Sequence, residues 1–144
     1  MDERAFWKLV ELVDRGVLAE DEDAAVAPLI EGLATLPPGE IAAFEEHLAL
    51  RLHALDGRAY ADEAGESGAS ADGFLYARCF VVAQGEAEFR RVLASPTRMP
   101  KSMVAWCEAL LGVASIAYER VTGAVGEFKT SVSYETGSNR AQWQ

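Results

Sequence analysis

The feature that most constrains the fold is an apolar run at residues 74–83, which reads Phe-Leu-Tyr-Ala-Arg-Cys-Phe-Val-Val-Ala. A helix with apolar residues on every side is stable in water only when other elements surround it. We therefore expect this run to be a central helix with the rest of the chain packed around it. A buried β-strand is the alternative, because a short apolar run fits either structure.

Apolar residues at helical spacing occur on both sides of this run. They predict a first helix over 2–15 and a second helix after the acidic stretch 20–23. Pro37-Pro38 breaks the pattern, and a long third helix is expected to begin there. Residues 61–70, which contain two glycines and two serines, are typical of a flexible loop. Two further helices are expected at 86–94 and 101–121, and Gly123 is suited to end the last of them.

The segment that follows has a different pattern. Phe128, Thr130, Val132 and Tyr134 alternate with polar residues, which is typical of a β-strand. A lone strand has no pairing partner in a helical protein, so it packs as an arm on its own domain or docks on another chain. We favour the arm; the alternative is a homo-oligomer assembled through this tail.

Length and composition fit one domain. The chain has 144 residues, of which 50% are hydrophobic and 25% charged, so it has enough apolar surface for a core. We predict a single all-α domain of five to six helices at residues 1–123, followed by an extended C-terminal tail at 124–144. No apolar run reaches the length of a membrane span, and the charged start does not resemble a secretory signal. We expect a cytoplasmic protein with no membrane partner.

The two cysteines lie inside apolar stretches. Cys79 is in the central run and Cys107 follows Trp106. Free buried cysteine behaves as a small hydrophobic residue, so we expect both to be reduced members of the core. The sequence alone leaves a disulfide open.

Charge is distributed unevenly along the chain. The net charge is −10 and the pI about 4.6, which argues against a nucleic-acid partner. Residues 1–69 carry 5 basic and 16 acidic side chains, whereas residues 70–144 carry 8 and 7. The acidic half is either a solvated surface that keeps the protein soluble or a face that docks on a basic protein.

The familiar motifs of catalysis and metal binding are absent from the sequence. His47 and His53 are six residues apart, which places them on different faces of a helix. There is no zinc-binding spacing, no glycine-rich nucleotide loop and no nucleophile elbow. We expect no catalytic residue, no metal and no cofactor.

One candidate site begins where the central run begins. Ser70 or Asp72 can accept hydrogen bonds from the free N–H groups at the start of the following helix. A cap of this kind stabilises a helix by about 1 kcal/mol, so a structural role alone can explain these residues. The alternative is that Asp72 lies at the rim of a pocket and binds a ligand.

Arg78 is unusual because it lies in the middle of the most apolar segment. A buried guanidinium needs a carboxylate partner, and Asp72, Glu108 and Glu119 are the candidates. The structural interpretation is a buried ion pair that joins two helices. The functional interpretation is an anion-binding arginine in a cleft formed with Asp72, Glu108 and Tyr118.

Several short motifs together resemble a known family. They are Phe6-Trp7, Ser70-x-Asp72-Gly73-Phe74, Arg78, Gly85, Phe89, Pro96, Ala117-Tyr118-Glu119 and Thr122-Gly123. In these positions the sequence resembles the bacterial domain-of-unknown-function family numbered 4240, over residues 2–123. It departs from the family pattern at Ala71, Ala77 and Ser95. The resemblance implies a small, mostly helical intracellular domain and implies no reaction; it draws attention to Asp72 and Arg78.

These observations favour a non-enzymatic interaction or regulatory module with a protein partner. An immunity-type or antitoxin-type inhibitor belongs to this class, because a compact acidic protein can neutralise a basic toxin. The alternative is a small-molecule-binding protein or an enzyme with a cleft around Asp72 and Arg78.

Overall fold

The computed structural model describes all residues, 1–144, and contains eight α-helices and no β-strand. Short 3₁₀ turns lie at Gly65–Ala69, Pro96–Arg98 and Glu108–Gly112. The all-α prediction is confirmed, but the expected number of five to six helices is too small. The helices are α1 (Glu3–Val10), α2 (Glu22–Leu33), α3 (Pro38–Ala54), α4 (Arg58–Glu63), α5 (Ala71–Ala83), α6 (Glu86–Ala94), α7 (Val113–Thr122) and α8 (Arg140–Trp143).

Helix α5 is the central element of the fold, as its apolar sequence predicts. Nine of its thirteen residues are buried, and it packs against α3, α6 and two of the 3₁₀ turns. The β-strand alternative for this segment is therefore wrong. The surrounding helices remove almost the whole circumference of α5 from water, which leaves the buried Arg78 in need of polar partners within the protein.

Helix α3 is the longest element and faces α5 with one side. It begins at Pro38, where a fixed φ and a missing N–H suit the first turn of a helix. Its buried residues include Ile41, Phe44, Leu48 and Leu52, which are the apolar positions that the sequence pattern selects. The restart predicted at Pro37-Pro38 is confirmed.

Two predicted helices are shorter than expected, and in the second of them long-range hydrogen bonds replace helical ones. The first helix ends at Val10 instead of residue 15. The helix predicted over 101–121 exists only as α7, preceded by a 3₁₀ turn. The Cys107 N–H donates to the Tyr76 carbonyl at 3.1 Å, and the Ala109 N–H donates to the Glu22 carboxylate at 2.7 Å. These bonds hold residues 107–109 against α5 and α2 in a conformation that a continuous helix would not allow.

The predicted flexible loop at 61–70 is ordered in the structure. It contains the end of α4 and a 3₁₀ turn, and the buried Ser67 hydroxyl accepts a 2.8 Å hydrogen bond from the Trp106 indole. Gly68 lies so close to Ala61 that a Cβ at this position would overlap the Ala61 carbonyl oxygen. The glycine at this position therefore permits close packing and not flexibility.

Residues 124–144, called the arm below, lie against helices of the same chain. Residues 124–139 have no regular secondary structure, and α8 follows them. Even-numbered residues from Phe128 to Tyr134 are half-buried and odd-numbered ones are exposed, so the alternation seen in the sequence is real. The predicted strand is nevertheless wrong, because helices offer no row of free backbone groups for strand pairing.

None of the helices has the length and apolar character required to cross a lipid bilayer.

Candidate functional site

Ser70 and Asp72 lie at the exposed start of α5. The Ser70 hydroxyl accepts a 3.0 Å hydrogen bond from the Gly73 N–H, which makes Ser70 the N-cap of the helix. Asp72 is exposed in the first turn, where its negative charge faces the positive end of the helix dipole. Its carboxylate makes no hydrogen bond to another residue of the chain.

Glu108 and Tyr118 lie on other elements of the fold. Glu108 is exposed in the 3₁₀ turn before α7. Partial burial, together with the Glu108 and Asp72 carboxylates, raises the pKa of Tyr76. Tyr118 is half-buried on α7 and its ring meets Phe128 edge to face at 5.6 Å. The predicted cluster therefore draws its residues from α5, the 3₁₀ turn at Glu108–Gly112 and α7.

No cleft is formed around the predicted cluster. Four cavities open on the surface, and none is lined by any of its members. The five residues of that cluster are Ser70, Asp72, Arg78, Glu108 and Tyr118.

Arg78 is fully enclosed, with 0% of its surface exposed. One guanidinium nitrogen donates to the Leu52 carbonyl at 2.9 Å and to the Tyr134 carbonyl at 3.0 Å. The other terminal nitrogen donates to the Thr136 hydroxyl at 3.0 Å. Two of these three acceptors belong to the arm, so the arm completes the burial of Arg78.

Asp56, in the turn after α3, is the second fully buried charged residue. Its carboxylate accepts hydrogen bonds from the Gly137 N–H at 3.0 Å and the Asn139 N–H at 2.9 Å. It also accepts a 2.9 Å bond from the indole N–H of Trp143. All three donors are in the arm.

Asp56 and Arg78 also form an ion pair. The shortest distance between Asp56 Oδ1 and Arg78 Nη2 is 4.0 Å. Burial lowers the pKa of the Arg78 guanidinium, and the Asp56 carboxylate opposes that effect. The ring of Phe74 lies 4.7 Å from the guanidinium carbon and shields it further.

The structure corrects the expected partner of Arg78. Asp72, Glu108 and Glu119 were the candidates, but all three are exposed and the partner is Asp56. Asp72 lies six residues before Arg78, which is an unfavourable offset for contact on one helix. The sequence carried a signal for Asp56, because this acid directly follows the apolar residues that end α3.

Thr136 connects the arm to the segment that the sequence analysis singled out. Its hydroxyl accepts from Arg78 and donates to the Ala71 carbonyl at 2.7 Å. Farther along the arm, the ring of Trp143 meets Phe74 edge to face at 5.9 Å. The start and the middle of α5 therefore both face the arm.

Glu45 on α3 is a second buried acid that the sequence analysis missed. It is 6% exposed, and its Oε2 atom is buried without a hydrogen-bond partner. Burial raises the pKa of the Glu45 carboxyl to about 7. Its spacing from Ile41 and Leu48 is four and three residues, so helical phase alone could have placed it on the buried face.

The remaining candidate groups have structural contacts. His47 and His53 bond to the carbonyls of Met1 and Ser133, both at 2.9 Å. Cys79 and Cys107 are buried free thiols, as predicted. No group of three or more His, Cys, Asp or Glu side chains is arranged to hold a metal ion.

Comparison with known protein families gives a match over most of the chain. The family model described as "Protein of unknown function (DUF4240)" matches residues 1–120. No curated protein and no solved structure gives a significant match.

Proposed function

The chain belongs to DUF4240, a family of proteins of unknown function, and we propose that it is a non-enzymatic interaction module that binds an extended segment of polypeptide. The binding surface is the arm groove, formed by Asp56, Arg78, Phe74 and the carbonyls of Leu52 and Ala71. In this chain the arm occupies the groove in cis. A partner protein with a similar segment competes with the arm.

The observation that carries this proposal is the way in which the groove contacts backbone groups. Asp56 accepts from two arm N–H groups, and Arg78 donates to an arm carbonyl. Recognition of main-chain donors and acceptors supplies affinity for an extended peptide, while a few side chains supply specificity. Charged hydrogen bonds in a buried setting are also the stronger ones.

The boundary of the family match supports a separable groove and occupant. The match ends at residue 120, so it includes every residue of the groove and excludes the whole arm. The groove residues therefore belong to the family domain, whereas the segment that fills the groove in this chain lies outside it.

The contacts of the arm define the chemistry of the partner segment. Thr136 supplies a hydroxyl that accepts from Arg78 and donates to the Ala71 carbonyl. Trp143 supplies an indole N–H to Asp56 and an aromatic edge to Phe74. We expect a competing segment to carry a hydroxyl residue and, a few residues later, a tryptophan.

The acidic surface supports a partner protein that is basic. Eight of the nine acidic residues between Asp2 and Glu31 are exposed. Such a surface increases the association rate with a basic protein and makes binding sensitive to salt. An immunity-type or antitoxin-type inhibitor of a basic protein is one biological form of this proposal.

The alternative function, binding of a small molecule in a cleft around Asp72 and Arg78, has less support. It needs a cavity beside Asp72 and Arg78, whereas Arg78 is 0% exposed and lines none of the cavities. A small ligand could reach Glu45 more easily than Arg78, because Glu45 lines a cavity.

The test is exchange of the arm after the intact chain has folded. A protease site is inserted between Gly123 and Ala124, where the backbone is exposed, and the folded protein is then cleaved. A fluorescent synthetic peptide of residues 124–144 is added, and binding is followed by anisotropy. We expect saturable exchange, with at least a tenfold loss for a peptide that carries Thr136→Val.

The control peptide carries Thr130→Val, because the Thr130 hydroxyl bonds only to Val132 within the arm. It should exchange like the unmodified peptide. A cleaved protein that never exchanges its arm, or that binds all three peptides equally, would overturn the proposal and make the arm a permanent part of the fold.

A further inference from the structure

A cavity of about 330 Å³ lies between α3 and the bend of the arm at residues 128–135. Glu45 is its only residue from the helical domain, and all others come from the arm. The volume is within the range of small-ligand sites. The cavity is distinct from the arm groove, since neither Asp56 nor Arg78 lines it.

The carboxylate of Glu45 has no partner within the protein. No lysine, arginine or histidine nitrogen lies within ion-pair distance of it, and no hydrogen-bond donor reaches its buried Oε2 atom. Glu45 is 6% exposed, and a carboxylate buried without a counter-charge is costly, so burial favours its neutral acid. A cation that enters the cavity supplies the missing charge.

Two hydroxyl groups of the cavity wall present acceptors. The Thr130 hydroxyl donates its hydrogen to the Val132 carbonyl, and the Ser131 hydroxyl donates to Glu46. Each hydroxyl has one hydrogen, so both now offer only lone pairs to a ligand. A ligand with several N–H donors can bond to both of these hydroxyl oxygens.

The remaining wall has the same preference. Glu135 adds a second carboxylate to the cavity. Phe128 and Tyr134 add aromatic rings, whose faces attract cations. Two carboxylates, hydroxyl acceptors and two rings are the combination that holds an organic ammonium group.

We propose that this cavity is a binding site for a primary ammonium group, carried by a small free amine or by a lysine side chain, with Glu45 as its counter-charge. The ammonium group also contacts the arm, so binding holds the arm closed on α3. The site does not depend on the peptide-binding role of the arm groove.

The test uses the intact chain at pH 8, where Glu45 is ionised. Butylammonium chloride and N-acetyl-lysine methylamide are the probes, and butanol and potassium chloride are the controls. Binding is followed by chemical-shift changes of the backbone amides of residues 128–135. We expect saturable shifts with one or both ammonium probes and none with either control; a response to the lysine probe alone assigns the site to a lysine side chain.

Two variants locate the site. Glu45→Gln removes the charge with little change in shape and should weaken binding at least tenfold, and Glu135→Gln should weaken it by two- to fivefold. Glu119→Gln, which alters an exposed acid on α7, should leave binding unchanged. Equal binding by wild type and Glu45→Gln, equal shifts with butanol or potassium, or no saturable shift would each overturn the proposal.

Discussion

Asp56 and Arg78 form a fully buried ion pair, yet they make no direct hydrogen bond, since their closest atoms are 4.0 Å apart. Each instead bonds to the arm: Asp56 accepts from several arm donors, and Arg78 donates to two arm acceptors. The arm is therefore the structural link between the two charges. Loss of either charge should release the arm and also destabilise the domain beneath it.

Asp56→Asn should be strongly destabilising. It leaves the Arg78 guanidinium buried without its counter-charge, which costs about 3–5 kcal/mol for a buried pair. Urea denaturation followed by circular dichroism measures the loss. Asp72→Asn makes the same chemical change at an exposed position, where only the interaction with the helix dipole is lost, and should destabilise the protein by at most about 1 kcal/mol. Similar losses in the two variants would contradict the pairing.

The double variant Asp56→Asn with Arg78→Met tests whether the two charges are coupled. Once Asp56 has lost its charge, removal of the guanidinium no longer breaks a pair, so the combined loss should be smaller than the sum of the single losses. Contacting residues of this kind show interaction energies of about 0.5–3 kcal/mol. Strictly additive losses would show that the pair is too distant to matter.

Thr136→Val should loosen the arm selectively. The substitution keeps the side-chain shape but removes the hydroxyl that joins Arg78 to the Ala71 carbonyl. A buried donor or acceptor left without its partner costs about 1–3 kcal/mol. Hydrogen exchange of the Gly137 and Asn139 amides should accelerate. Thr35→Val, at an exposed hydroxyl, should leave these amides unaffected.

The sequence predicts the helical framework well because its signals are local. The apolar run of α5, the proline restart of α3 and the bounds of α6 each depend on neighbouring residues alone. The predicted helix over 101–121 failed for the opposite reason. Its first part is fixed by hydrogen bonds to Tyr76 and Glu22, which are distant in sequence.

The surroundings of Arg78 were predicted only in part. Arg78 was singled out correctly as a residue that needs partners, since a lone charge in an apolar run is visible in the sequence. Its carboxylate partner could not be selected, because the choice among exposed and buried acids depends on tertiary packing. The arm acceptors at Tyr134 and Thr136 were beyond any local pattern. Glu45 was missed, although its spacing from Ile41 and Leu48 places it on the buried face of α3.

The two cysteines should be unreactive in the folded protein. Both thiols are buried, and burial raises the pKa of Cys107 to about 12 and that of Cys79 well above its ordinary value. The thiolate is the reactive form, so little is present at pH 8. A disulfide reagent such as 5,5′-dithiobis(2-nitrobenzoate) should detect no rapid reaction in the native state and two thiols in urea. Rapid native reaction of either thiol would contradict its burial.

Glu45→Gln should stabilise the protein at high pH. The Glu45 carboxyl has a pKa of about 7 in the folded state and 4.5 as its ordinary value, so the folded state holds the proton more tightly. Stability from this group therefore falls as pH rises from 4.5 to 7 and is constant above. Because Gln resembles the protonated acid, the variant should match wild type near pH 4.5 and exceed it by about 3 kcal/mol above pH 7.

Glu46, the residue next to Glu45, provides a control in which substitution by Gln should change stability in the opposite direction. Hydrogen bonds from Ser131 lower the pKa of Glu46, so this carboxylate contributes stability above pH 4.5 and loses it as pH falls through the lowered pKa. Glu46→Gln should therefore be less stable than wild type at pH 7 and equal to it in strong acid. Thermal unfolding of both variants from pH 3 to 9 measures the two profiles. If both substitutions changed stability in the same direction at pH 7, the two acids would have similar environments. That result would contradict an unpaired, buried Glu45 beside a hydrogen-bonded Glu46.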